Sequence, residues 1–205
     1  MEGSFTPVAS LTKVTATPVT GGAAYTATIA FPGTYRFRAL PLGTYSLQFE
    51  PVAGYVTPAP QTLAVQTSGA PVIRTLHVLT ERAALMTAVK WRVTTNLTLN
   101  TTNGTTVDGL ATAASCAKDN TLQFMPDGEF IIDQGPLKCA ASDPQITKLT
   151  WALEQDETYI RFKLPTGATS YLKMIQVTAT KVHMLERYTE QNQQFEHTLI
   201  YSAIP

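Results

Sequence analysis

Charge is scarce in this chain. Of 205 residues only 15% are Asp, Glu, Lys or Arg, against roughly 25% in an average soluble protein. The 15 basic and 15 acidic side chains cancel to a formal net charge of zero. Nucleic-acid binding needs a basic field that displaces counterions, and an anionic membrane surface needs a run of Lys or Arg. Here Lys13, Arg36 and Arg38 stand singly, so no nucleic-acid partner is expected and no run suits an anionic membrane surface. No apolar run approaches the ~18 residues of a membrane-spanning helix, so no transmembrane segment is expected. Met1-Glu2-Gly3-Ser4-Phe5 has neither the basic start nor the apolar stretch of an export signal.

Signature motifs are missing too. The sequence holds no GxSxG elbow, HExxH, P-loop or GxGxxG. No cofactor is therefore expected, and the chain reads as a non-enzyme. Cysteine is nearly absent, with only Cys116 and Cys139. No CxxC or Cys/His spacing points to zinc or thiol redox chemistry. A bridge between the two would stabilise the fold by about 3 kcal/mol through loop closure and would place the protein in an oxidising compartment. The alternative is two unrelated thiols in a reducing one.

What the chain does have is apolar residues at 44%, aromatics at 9%, and threonine in abundance. Threonine is β-branched and suits a pleated, half-wet surface, so the bias favours sheet. Residues 1–79 read as short strands punctuated by Phe31-Pro32-Gly33, Leu40-Pro41-Leu42-Gly43 and Pro58-Ala59-Pro60. Between these breaks, Tyr35-Arg36-Phe37-Arg38 and Tyr45-Ser46-Leu47-Gln48-Phe49 alternate with period two. That spacing predicts a β-sandwich. Residues 80–89 hold the one stretch with helix propensity, Thr80 to Thr87, read as a linker or short helix. From residue 90 to 205 alternation resumes in about eight strands. Pro126-Asp127-Gly128 turns one pair, and Glu190-Gln191-Asn192-Gln193 tips the last. The expectation is an all-β protein: an N-terminal sandwich and a C-terminal antiparallel barrel.

Two resemblances sharpen this. The run Gly33-Thr34-Tyr35-Arg36-Phe37-Arg38-Ala39-Leu40-Pro41-Leu42-Gly43-Thr44-Tyr45-Ser46-Leu47, followed by Gly54-Tyr55, resembles the carboxypeptidase-regulatory, transthyretin-like sandwich modules of bacterial surface proteins. It is read as two alternating strands joined by a tight Pro/Gly turn. The resemblance implies a spacer or adhesive support.

Residues 85–203 are similar to the lipocalin-like domains of Bacteroidota surface lipoproteins. Lys90-Trp91-Arg92-Val93, Cys116 through Phe124, Asp127-Gly128-Glu129-Phe130, Cys139 and Leu149-Thr150-Trp151-Ala152-Leu153 carry the likeness. It implies a Cys116–Cys139 disulfide and a surface or extracellular location, with lipid anchoring only through a longer precursor. Such domains usually carry Gly two positions before the first-strand Trp. Val89 stands there instead, which puts the helical closure of the barrel floor in question.

Candidates for chemistry are few. If the last hairpin turns at Gln191–Asn192, His197 pairs with Glu186 and His183 with Ile200, roughly 10 Å apart at strand rise. The histidines are thus read as solvated, and no metal site is expected. Asp119, Asp127, Asp133, Asp143 and Asp156-Glu157 fall at turns, where carboxylates cap backbone amides. The sequons at Asn96, Asn100 and Asn103 are read as loop markers. Binding remains, through the inward set Phe124, Phe130, Trp151, Phe162, Met174 and Met184. These residues either grip a small apolar ligand or fill the barrel as core. The expected role is a non-catalytic surface protein whose barrel binds an apolar molecule or a protein partner. The alternative is a self-assembling structural subunit.

Overall fold

A computed structural model describes residues 1–66 and 75–204. The chain is all-β and divides into two compact units, Met1–Glu81 and Arg82–Pro205.

The first unit stacks two four-stranded sheets. One is ordered β4 (Thr28–Ala30), β5 (Thr34–Arg36), β1 (Glu2–Thr6), β8 (Thr75–His77); the other is β3 (Tyr25–Thr26), β2 (Leu11–Pro18), β6 (Gly43–Pro51), β7 (Gln61–Val65). All pairings are antiparallel except β1 with β8. The alternation Tyr35/Phe37 and Tyr45/Leu47/Phe49 faces inward, each residue 2–3% exposed. The connection between them differs from the sequence reading. β5 and β6 are not a hairpin; they lie in opposite sheets, and Phe37–Leu42 crosses from one to the other. The aromatics consequently meet across the core, Tyr35 edge-on to Phe49 at 6.3 Å between ring centres. Leu40-Pro41 sits in the crossing, where Pro41 withholds no ladder hydrogen bond. The buried Tyr45 hydroxyl donates back to the Pro41 carbonyl at 2.8 Å, which fixes the corner. Gly3 lies directly under the Tyr35 ring, where a Cβ would meet the ring at 2.3 Å.

The second unit is a closed eight-stranded antiparallel barrel. Around it run β9 (Trp91–Asn100), β11 (Thr121–Phe124), β12 (Glu129–Asp133), β13 (Ile146–Glu154), β14 (Tyr159–Lys163), β15 (Thr169–Val177), β16 (Lys181–Glu190) and β17 (Gln193–Ala203), and β17 returns to β9. A short ninth strand, β10 (Thr106–Asp108), adds to the far end of β9. Two single-turn helices, α2 (Gly109–Thr112) and α3 (Ser115–Lys118), lead on to β11. Asp108 caps α2 by accepting from the amides of Leu110 and Ala111. Cys116 and Cys139 form a disulfide tying α3 to the β12–β13 connection.

One end of the barrel is floored. Helix α1 (Glu81–Thr87) buries Met86 completely, and Trp91, itself fully buried, donates its indole N–H to the Met86 carbonyl at 2.7 Å. Arg82 donates to the Glu157 carbonyl in the β13–β14 turn at the same end. Val89 in place of glycine therefore leaves the helical closure intact, because the Trp91–Met86 bond and the buried Met86 side chain supply the contact. Val182, Met184 and Ile160 are likewise 0% exposed just above it. Full burial of each such side chain is worth about 1.5–3 kcal/mol.

Candidate functional site

The six residues singled out from the sequence all point into the barrel. Phe124 and Met184 are fully buried, and Phe130, Trp151, Phe162 and Met174 are 4–7% exposed. Phe124 is the hub. Its ring centre lies 4.7 Å from Phe130, 5.1 Å from Trp151 and 6.2 Å from Phe162, and Phe130 and Phe162 are 4.9 Å apart. Trp151 also donates its indole N–H to the Met125 carbonyl at 3.0 Å. These side chains pack on one another through the lower barrel. Tyr201 closes the group against Phe124, and burial pushes its phenol well above the ordinary tyrosine range.

The opposite end is built differently. β16 follows β15 only from Val182 to Leu185, then continues alone on that side to Glu190. β9 meets β11 at the single pair Trp91–Leu122, and its far end is covered by β10 instead. The β15–β16 ladder thus ends well short of the rim. Inward residues follow the same trend. Ile132, Thr147, Leu149, Ser170 and Leu199 are all partly exposed, unlike the sealed side chains below them.

Along the β16–β17 hairpin the inward pairs rise in tiers. Met184 stands opposite Leu199, Glu186 opposite His197, and Tyr188 opposite Phe195. The register read from the sequence, with His183 at Ile200 and His197 at Glu186, is the one observed. His197 is not solvated as expected, however: its side chain is 22% exposed. Its Nε2 lies 2.8 Å from Oδ1 of Asn96 and its Nδ1 lies 3.8 Å from Oε2 of Glu186. Above this tier Tyr188 and Phe195 stack nearly parallel, with 5.2 Å between centres. On the outer face, burial and the neighbouring Lys181 ammonium push the His183 imidazole down. At the hairpin tip a cleft of about 470 Å³ is lined by Tyr188 and Phe195 together with Thr101, Gln194 and the ion pair of Arg187 with Glu196 at 2.8 Å.

Asn96 and Asn100 correct a sequence reading. Both lie on β9, and neither marks a loop. A bulge at Thr94 shifts the register against β17, from Val93–Tyr201 to Thr95–Ile200, and so turns Asn96, Thr98 and Asn100 inward. Such a bulge leaves no composition signal, which is why the sequence does not place Asn96 in the barrel wall. Gly109 passes so close that a Cβ would lie 3.0 Å from the Asn96 amide.

Asp127, Asp133 and Asp143 cap amides two or three residues away, whereas Asp119 reaches an amide 18 residues on. Asp127 accepts from the Glu129 amide, Asp133 from Gly135, Asp143 from Ala140 and Asp119 from Leu137. The Gln145 amide and the Gly135 N–H hold the Asp133 carboxyl below its usual range. Among the described residues no group of three or more His, Cys, Asp or Glu is placed to hold a metal ion, and no helix is long and apolar enough to cross a membrane. No protein-family model matches the chain, and no curated protein matches it.

Proposed function

We propose that this chain is a non-catalytic binding protein working outside the cytoplasm or at a cell surface, with the barrel receiving a small molecule at its unfloored end and the sandwich unit serving as a spacer. The observation that carries the reading is the gradient of burial along the inward faces. Side chains near α1 are sealed at 0%, whereas Glu186 two tiers up from Val182 is 36% exposed. Eight strands enclose an interior just wide enough to fill with side chains or to keep one small ligand. Here the lower part is filled, and the rim is lined by a mixture of apolar and hydrogen-bonding groups, as ligand sites usually are. The disulfide supports an oxidising compartment. The resemblance of residues 85–203 to lipocalin-like domains agrees with a ligand at the mouth.

Assembly by strand pairing has less behind it. Among the described residues, the edge strands of the first unit are two to five residues long, too short to template another chain well.

The test is N-phenyl-1-naphthylamine, an uncharged fluorophore, titrated into the protein and into Leu199→Trp, which fills the mouth. Saturable enhancement in the first and its loss in the second are expected. Equal enhancement in both, or none in either, refutes a ligand site at the rim.

A further inference from the structure

We infer that the mouth selects an organic cation, a primary ammonium carried on an apolar or aromatic body. The inference rests on the mouth being the ligand site and names the chemistry that site would favour.

Asn96 presents its oxygen to Nε2 of His197 at 2.8 Å. An amide oxygen only accepts, so Nε2 must carry the proton, and in the neutral imidazole Nδ1 is then a bare acceptor. That acceptor faces the Glu186 carboxylate at 3.8 Å, too long for a direct hydrogen bond. In that neutral tautomer two acceptors confront each other across a short gap in a partly dry wall. A group with several N–H donors and a positive charge satisfies both at once, and an ammonium is such a group.

Charge distribution points the same way. Residues two apart on a strand share a face. With Val182, Met184, Phe130, Phe162, Leu172 and Met174 inward, parity turns Arg92, Lys148, Arg161, Lys163, Lys173, Lys181 and Arg187 outward. Among the described strand residues, the ionised side chains on the inward face are Glu186 and, at the hairpin tip, Glu190. Inward strand faces whose ionised groups are carboxylates favour a cation over an anion.

The tier above supplies the remaining part. Tyr188 and Phe195 stand one inward step beyond Glu186 and His197, about 7 Å along the strand. They stack 15° from parallel on the same side of the hairpin as the carboxylate. Ring faces are electron-rich and attract cations as well as apolar surface. A carboxylate beneath an aromatic pair therefore matches a molecule with an ammonium at one end and an apolar ring or chain at the other.

The experiment is calorimetric titration of the full chain with phenethylammonium chloride and, in parallel, with uncharged 2-phenylethanol of nearly the same shape. The ammonium should bind at least tenfold more tightly. Glu186→Gln should remove most of that advantage and leave the alcohol unchanged. Tyr188→Ala, at an exposed rim position, should weaken the ammonium roughly three- to tenfold, and it keeps the proposal testable if the Glu186 variant folds poorly by circular dichroism. Equal affinity for ammonium and alcohol, both lost in Leu199→Trp, overturns the cation inference and leaves the mouth as a site. Failure of both ligands, joined to failure of the naphthylamine titration, overturns the site itself. An ammonium that binds Glu186→Gln as well as the parent also refutes the inference.

Discussion

Replacing Trp151 by alanine tests whether the lower barrel is packed core. Trp151 is 7% exposed, sits edge-on to Phe124 at 5.1 Å and donates to the Met125 carbonyl at 3.0 Å. A buried indole removes about 200 Å² from water, worth about 5 kcal/mol at 25 cal/mol per Å², an upper bound because the unfolded chain is itself partly compact. The lost indole bond adds little, since Met125 lies at a turn that water can reach. Partial collapse of the neighbouring rings reduces the net loss to about 3–5 kcal/mol. For a unit of this size that corresponds to a fall in Tm of roughly 15 °C. The chain has two tryptophans, Trp91 and Trp151, both in the second unit. In the variant the buried Trp91 remains as a fluorescent reporter of barrel unfolding alone. Urea denaturation followed by that signal is the assay. A loss below 1 kcal/mol would mean the ring packs against nothing that matters, and the core assignment would fail with it. Trp151→Phe, which keeps an aromatic ring, should cost less than the alanine change and leave ligand titrations at the mouth unaltered.

Removing the bridge with Cys116→Ser and Cys139→Ser opens a loop of 23 residues and should lower stability by about 3 kcal/mol; a urea midpoint unmoved from the parent would contradict this. Burial raises the Tyr201 phenol, so the folded state stays protonated where the unfolded chain ionises, near about pH 10. That stabilisation is complete below pH ~10 and is lost as pH rises further. Burial also raises Tyr35 and Tyr45 in the first unit, so ultraviolet titration should show a late-titrating set among the eight tyrosines, and Tyr201→Phe should remove one group from it. For Asp133 the shift is downward, so its stabilisation is present above about pH 4 and disappears as pH falls through the lowered value; Asp133→Asn should flatten that acid limb. Gly3→Val drives a side chain into the Tyr35 ring and should cost about 1–3 kcal/mol by overpacking, seen as a lower thermal midpoint by circular dichroism.

Much of the architecture was legible because period-two patterning is a local signal. Leu122/Phe124, Phe130/Ile132 and Ile160/Phe162 alternate in the sequence and alternate in the barrel wall. The pairing of Glu186 with His197 followed from one turn and simple counting, since antiparallel register is fixed by where a hairpin reverses. The error at Tyr35 to Phe49 has an equally physical origin. Alternation reveals which side of a strand is wet, and a tight Pro/Gly break reveals that the chain turns, but neither tells whether the next strand joins the same sheet or the facing one.

By itself the sequence determined the all-β class, the inward sets and the nearness of His197 to Glu186, because each is decided by neighbours along the chain or across one hairpin. The parting of the barrel's far end, the α1 seal at the other and the place of Asn96 in the His197 tier come from long-range packing. Those facts depend on a one-residue bulge in β9 and on where β15 leaves β16. Long-range geometry of that kind is set by how the strands close on one another around the packed rings, and no local pattern of residue types encodes it.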